Sequence, residues 1–154
     1  MGDNIIVANE DDFQTVRDIT QITIKSVYPK YYPEGAVQFF CNHHSDDRIM
    51  DDIKGGKVFL VKTDEGTNVG TVTVSDNEIN RLFVLPEHQR KGYGKQLMDF
   101  AEQVIGKESD CIVLDASLPA KNIYINRGYE ATAYNMIKTE NGDYLCYDVM
   151  EKRL

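Results

Sequence analysis

The chain has 154 residues, 42% hydrophobic and 10% aromatic, a globular composition that excludes disorder and fits a single domain over residues 1–154. Its formal net charge of −8 argues against nucleic acid as a partner and leans toward a cationic ligand, an acidic surface kept for solubility being the alternative. No apolar run reaches membrane-spanning length, and Met1-Gly2-Asp3-Asn4 has neither the basic region nor the apolar core of a secretory signal, so no membrane partner is expected.

In chain order, Ile5-Ile6-Val7 predicts a short first strand. Asp11 or Asp12 caps a helix that carries Phe13, Val16, Ile19, Ile22 and Val27 inward. Tyr28-Pro29-Lys30-Tyr31-Tyr32-Pro33 interrupts it, with Pro33 opening a second helix through Phe40. Ser45 caps a third short helix containing Ile49, Met50 and Ile53, closed by Gly55-Gly56. Three strands follow as an antiparallel meander, Val58–Thr63, Val69–Ser75 and Glu78–Val84, separated by Asp64-Glu65-Gly66 and Asp76-Asn77. Pro86 ends the third strand, because it has no N–H to give a ladder.

From Gln96 onward, Leu97, Ala101, Val104 and Ile105 recur at helical spacing. Cys111–Ala116 is a short apolar strand, a helix runs from about Pro119 to near Gly128, and Tyr129–Lys138 with Tyr144–Met150 form a hairpin around Glu140-Asn141-Gly142-Asp143. Strands at both ends of the chain with two strand–helix units between them predict a mixed α/β sheet. Cys41, Cys111 and Cys146 are odd in number and lack paired spacing, which disfavours a disulfide framework and a zinc site and makes a cytoplasmic protein the default.

The most informative stretch lies between the third strand of the meander and the long helix: Gln89-Arg90-Lys91-Gly92-Tyr93-Gly94. Two glycines let the backbone turn tightly and approach a ligand with no Cβ in the way. A helix starting there presents free N–H groups and the positive end of its dipole, which suits a phosphate, and Arg90, Lys91 and Lys95 add positive charge to an acidic chain. A plain strand-to-helix turn with solvated basic residues has the same glycine spacing. A dinucleotide fingerprint is disfavoured: Asp115 lies at a suitable distance, but Leu97 occupies the third glycine position.

Gln89-x-x-Gly92-x-Gly94, preceded by Leu82-Phe83-Val84-x-Pro86 and followed by Leu97-Met98, resembles the acyl-CoA-binding motif of the GNAT superfamily of N-acetyltransferases. Ala116-Ser117-x-x-Ala120 and Tyr124-x-x-x-Gly128-Tyr129 resemble the second half of that signature, in the expected order. The resemblance covers about Val58 to Glu130 and implies a mostly antiparallel central sheet, flanked by helices, with one parallel pair of strands that splay apart to admit the pantetheine of acetyl-CoA. It implies backbone donors for the carbonyl oxygen on Leu82, Phe83 and Val84, with Val84 foremost. The pyrophosphate would meet Gln89, Arg90, Lys91, Gly92, Tyr93, Gly94 and Lys95, and Asn122 would lie near the pantetheine or phosphate arm, its alternative being a polar residue near a helix start.

Acetyl transfer from a thioester to an amine needs a neutral nitrogen, although an alkyl ammonium has a pKa near ~10.4. It needs donors for the developing oxyanion and a proton for the leaving thiolate. Resemblance assigns Tyr124 as the general acid, whose alternative is a packing aromatic beside Ile123 and Ile125. Glu78 stands where some family members carry a catalytic base, and otherwise reads as a solvated residue after a turn. Tyr28, Tyr31 and Tyr32 fall in the region that shapes the acceptor pocket in this family, where they would meet an amine by cation–π contact or pack the helix junction. His43-His44 reads as exposed loop rather than a metal site, and Ser117 beside Asp115 has no histidine partner for a triad. The expectation is an acetyl-CoA-dependent N-acetyltransferase acting on a small cationic amine, with no metal. A protein or peptide N-acetyltransferase and a non-catalytic acyl-CoA sensor are the alternatives. Homodimerisation through the C-terminal strands is expected from many relatives.

Overall fold

A computed structural model describes residues 4–154. In order, the elements are β1 (Ile5–Val7), α1 (Phe13–Val27), α2 (Glu34–His43), α3 (Asp46–Lys54), β2 (Val58–Lys62), β3 (Asn68–Ser75), β4 (Glu78–Val84), α4 (Tyr93–Gly106), β5 (Cys111–Ala116), α5 (Lys121–Asn126), β6 (Glu130–Lys138) and β7 (Tyr144–Arg153). The strands form one seven-stranded sheet in the order β1-β2-β3-β4-β5-β7-β6. Every neighbouring pair is antiparallel except β4–β5, which is parallel. This is the mixed, mostly antiparallel arrangement expected. No helix among the described residues is long and apolar enough to cross a membrane.

Each face of the sheet carries its own core. Against α4 lie Val72, Ile79, Val84, Leu97, Met98, Ala101, Ile112 and Leu114. On the other face α1, α2 and α3 cover Leu60, Phe83 and Leu145 with Val16, Ile19, Ile24, Tyr28, Tyr32 and Ile49. Burying each of the large aliphatic side chains contributes about 1.5–3 kcal/mol, and this fixes which side of every strand faces which helix layer.

Local boundaries moved where caps, rather than apolar spacing, set them. Pro33 is the N-cap of α2 rather than its first residue, and α2 runs on to His43. The α4 helix begins at Tyr93, three residues before its apolar spacing becomes visible, with Gly92 as N-cap at φ 92°. The α5 helix is only six residues long. In α1 the buried stripe is Val16, Ile19, Thr20, Thr23 and Ile24, while Ile22 is 48% exposed instead of facing inward. Two threonines carry the i, i+3, i+4, i+7 spacing, and Ile22 falls off it.

One irregularity shapes the site. Thr71 pairs with Phe83 and Thr73 with Asn80, so Arg81 and Leu82 oppose Val72 alone. This β-bulge places Arg81 at φ 50° and turns the C-terminal half of β4. The parallel pairing with β5 is confined to Glu78–Val113 and Ile79–Leu114, and beyond Asn80 the two strands part.

Candidate active site

The split between β4 and β5 exposes main-chain groups that would otherwise be paired. The Leu85 N–H donates to the Val69 carbonyl at 2.9 Å, which sets the alternation of the β3–β4 ladder. Phe83 therefore bonds Thr71, whereas Val84, opposite Gly70, turns its N–H and C=O toward the split. The Val84 carbonyl accepts from Gln89 Nε2 at 2.9 Å and from Thr23 Oγ1 at 3.4 Å, and its N–H has no partner among the described residues. Of the three expected donors, Val84 presents an amide to the gap. The Phe83 side chain belongs to the core under α1, and Leu82 packs toward α4.

Gln89 thus ties the glycine loop to the end of β4. Arg90 (φ 63°) and Gly92 (φ 92°) both take left-handed backbone, and the N–H groups from Arg90 to Lys95 have no partner among the described residues. The first intrahelical bond closes later, from Gln96 N–H to the Gly92 carbonyl. A Cβ on Gly94 would meet only Val84 Cγ2, at 3.9 Å, so nothing within the chain requires a glycine there. The missing methyl leaves room over the free amides, as a pyrophosphate needs, and this part of the chain fits coenzyme A. Arg90 and Lys91 are exposed beside the loop, and Tyr93 packs against the α4-side core. Lys95 instead reaches back to Asp99 at 2.9 Å, so its charge is already partly matched. Asn122 is exposed on α5.

Tyr124 is 6% exposed, and its hydroxyl makes no hydrogen bond among the described residues. Burial, then the neighbouring Tyr28, pushes its pKa far above that of an ordinary phenol, so it stays a protonated donor throughout the physiological range. Tyr28 is buried too, donates to Ser117 Oγ at 3.3 Å, and has its pKa raised to about 12, mainly by burial. The Tyr32 hydroxyl accepts from the Leu118 N–H at 2.7 Å and donates to the Cys146 carbonyl at 3.3 Å. Both rings pack with Phe40. Tyr31 points outward, 50% exposed, and is not brought to this cluster.

Glu78 is half-buried at the head of the split. Its pKa is raised, first by desolvation and then by Asp115, with a hydrogen bond to Asn80 opposing. That direction suits a proton acceptor working near neutrality. Three participants escaped sequence reasoning. Arg81 is buried and donates to Asp52 Oδ2 at 2.8 Å, Thr73 Oγ1 at 3.1 Å and His44 Nδ1 at 3.3 Å. His44 is accordingly no exposed loop residue: it closes α2 half-buried, and burial followed by Arg81 lowers its pKa to about 3. Asp115 faces Glu78 across the end of the parallel pair. The only advance signal for Arg81 was a lone cation inside an apolar strand.

The three cysteines are free and partly buried. Among the described residues no group of three or more His, Cys, Asp or Glu is placed to hold a metal. A groove of about 530 Å³, lined by Val74, Asp76, Lys107 and others, opens at the C-terminal end of α4, away from the glycine loop.

A seven-stranded mixed sheet, with one short parallel pair opening beside a glycine loop at a helix start, defines an acyl-CoA-type transferase fold. The acetyltransferase (GNAT) domain family matches residues 27–152, and the chain belongs to that family. No curated protein sequence matches the chain. Among solved structures, a GCN5-related N-acetyltransferase from Rhodopseudomonas palustris superposes with a TM-score of 0.86 at 23% identity, covering 97% of this chain and 94% of that one. The PaiA N-acetyltransferase of Thermoplasma acidophilum, in complex with coenzyme A, has a TM-score of 0.71 at 19% identity, covering 97% and 98%. YncA of Salmonella typhimurium, solved with its cofactor acetyl-CoA, has a TM-score of 0.74 at 15% identity, covering 97% and 92%. At these identities the likeness carries the fold alone.

Proposed function

We propose that this protein transfers an acetyl group from acetyl-CoA to an amine by direct attack within a ternary complex. The observation that carries the reading is Tyr124: a buried phenol, protonated and without a partner, beside a split in which the Val84 amide is also free. Bound acetyl-CoA supplies an activated thioester. The amides from Arg90 to Lys95, with Arg90 and Lys91, hold its phosphates. The Val84 N–H stabilises negative charge developing on the carbonyl oxygen. Glu78, directly or through a water, takes a proton from the attacking nitrogen. As the new C–N bond forms and the C–S bond breaks, Tyr124 gives its proton to the leaving thiolate and is reprotonated from solvent. The products are an amide and a thiol, and no covalent enzyme intermediate is needed. None of Cys41, Cys111 and Cys146 falls within the motifs that resemble the family's, which favours direct transfer over a thiol relay.

The test is Tyr124→Phe, assayed by thiol release with a panel of amines and by calorimetric binding of acetyl-CoA. Turnover is expected to fall about ten-fold or more while acetyl-CoA still binds, because a general acid contributes to the rate and not to ground-state affinity. Unchanged turnover would remove Tyr124 from the chemistry. Failure of the wild-type protein to bind acetyl-CoA would remove the whole reading.

A further inference from the structure

We propose that Glu102 and Tyr129 are positioning residues for the acetyl transfer: Glu102, on α4, fixes the Tyr129 ring against which Tyr124 packs, and together they set where the general acid delivers its proton. This inference rests on the acetyltransfer reading above, with Tyr124 in the role given to it there.

The need for such a device is geometric. A misplacement of about 1 Å between a catalytic group and its target lowers a rate by as much as about 100-fold. The amides that would hold acetyl-CoA stand at the start of α4, whereas Tyr124 stands on α5. The α5 helix has only six residues, far fewer than the roughly 12–15 that an isolated helix needs to persist. Tertiary contacts must therefore hold it in place. The Tyr124 hydroxyl makes no hydrogen bond among the described residues, so its ring takes its direction from what packs on it.

Tyr124 and Tyr129 are linked twice. Through the backbone, the Tyr124 carbonyl accepts from the Arg127 N–H at 3.0 Å and the Tyr129 N–H at 3.1 Å. The Gly128 N–H bonds the Ile125 carbonyl at 3.0 Å with Gly128 at φ 93°, the left-handed cap that closes a helix. Through the side chains, the two ring centroids lie 5.8 Å apart at an interplanar angle of 60°.

Tyr129 is in turn tied to α4. It is 2% exposed, donates to Glu102 Oε2 at 2.8 Å, and has Lys152 Nζ over its ring, 5.6 Å from the centroid. Glu102 also accepts from Arg127 Nη2 at 2.9 Å, Lys152 Nζ at 3.2 Å and Arg127 Nε at 3.3 Å. Arg127 Nη2 reaches Asp99 as well, at 2.7 Å, three residues earlier on α4. Desolvation opposes the Glu102 charge, but the hydrogen bonds from Arg127 and Tyr129 outweigh it and hold the carboxyl below its usual range. Burial, then the bond to Glu102, keeps the Tyr129 hydroxyl protonated far above neutrality. The link is thus a charge-assisted bond, short and directional, that keeps one state across the working pH range. It refers the acid to the same rigid helix whose start would carry the cofactor.

The experiment is a double-mutant cycle on the full-length protein with Tyr129→Phe and Tyr124→Phe. It is read by thiol release with the best acceptor of the amine panel and by calorimetric affinity for acetyl-CoA. Tyr129→Phe keeps the ring and removes the donor to Glu102. Its kcat is expected to fall roughly three- to ten-fold while the Kd for acetyl-CoA stays within about two-fold. In the Tyr124→Phe background the same change should have no further effect on kcat, because no acid is left to aim. An unchanged kcat in Tyr129→Phe overturns the inference and leaves acetyl transfer standing. An equal loss in both backgrounds also overturns it, since that marks a general effect on the fold. Should Tyr129→Phe fail to fold, Glu102→Gln, which keeps the side chain's shape and weakens the same bond, is judged by the same two comparisons. Wild-type turnover in Tyr124→Phe refutes the acid assignment and the positioning with it. Absence of thiol release with every amine, or of acetyl-CoA binding, in the wild-type protein refutes the function itself.

Discussion

Arg81 combines two features that push stability in opposite directions, which makes it the most instructive residue to replace. Its guanidinium joins α3 through Asp52, β3 through Thr73 and the end of α2 through His44, from a side chain 5% exposed. Removing one partner of a buried pair costs about 3–5 kcal/mol. The Asp52 side chain keeps 28% exposure and can regain water, so the lower end, about 3 kcal/mol, applies to Arg81→Ala. Its backbone, however, sits at φ 50°, where any Cβ costs roughly 1 kcal/mol and glycine costs nothing. Arg81→Gly should therefore lose only about 2 kcal/mol.

The order of the two variants is the diagnostic. In an ordinary strand position glycine is less stable than alanine by roughly 0.5–1 kcal/mol, so the expected ranking here is inverted. Urea titration monitored by far-UV circular dichroism, with m held common, resolves a difference of that size. For a chain of this length the alanine variant should melt about 6–12 °C below wild type. A glycine variant less stable than the alanine one would show that no strain is stored at the bulge. Losses under about 1 kcal/mol in both would show that the guanidinium clamp does not hold the helices to the sheet.

Two further outcomes are expected. The raised pKa of Glu78, due first to desolvation and then to Asp115, sets an acid limb in kcat/KM: the carboxyl must be ionised to accept a proton, so activity falls as pH drops through that pKa. Asp115→Asn removes the like charge and should move the limb to lower pH, and Glu78→Gln should abolish it; a limb indifferent to both would discard Glu78 as the base. At the glycine loop, Gly94→Ala gains helix propensity and meets only Val84 Cγ2 at 3.9 Å, so stability should hold or rise by up to about 1 kcal/mol. Its affinity for coenzyme A should nonetheless drop about ten-fold, since the new methyl stands over the free amides. Calorimetry reads the two effects separately, and unaltered affinity would move the phosphates off this loop.

What the sequence disclosed, and what it withheld, follows the range of the interactions. The glycine loop and α4 were legible because turn chemistry and a helical apolar period are local. Tyr124 and Val84 were reached through the resemblance of a motif spread over some forty residues. The burial of Tyr124 and the outward turn of the Val84 amide needed the three-dimensional sheet. Ile22 was misplaced because threonine, although buried twice in α1, does not register as apolar. His44 and Arg81 were missed for a different reason. Their partners lie 29 to 37 residues away, and no local pattern announces that a buried cation will find Asp52 or that a histidine at a helix end will be held neutral. Asp115 was visible only as a spacing, and its meaning depends on where β4 leaves β5.

The bulge, the split and the charges are parts of one arrangement. Because Arg81 and Leu82 share one position opposite Val72, β4 turns away from β5 after Asn80 and a short gap opens between them. On the α4 side it presents unpaired amides, a helix N-terminus, Arg90 and Lys91 to an anion. On the α1–α3 side it carries Glu78 and Asp115. In a chain with a net charge of −8, the basic loop is a local reversal of the surrounding field, whereas Glu78 and Asp115 extend it. Raising ionic strength should then weaken the capture of acetyl-CoA at the exposed loop, whose Arg90 and Lys91 are open to screening. An affinity for acetyl-CoA indifferent to salt would place the phosphates outside the basic loop.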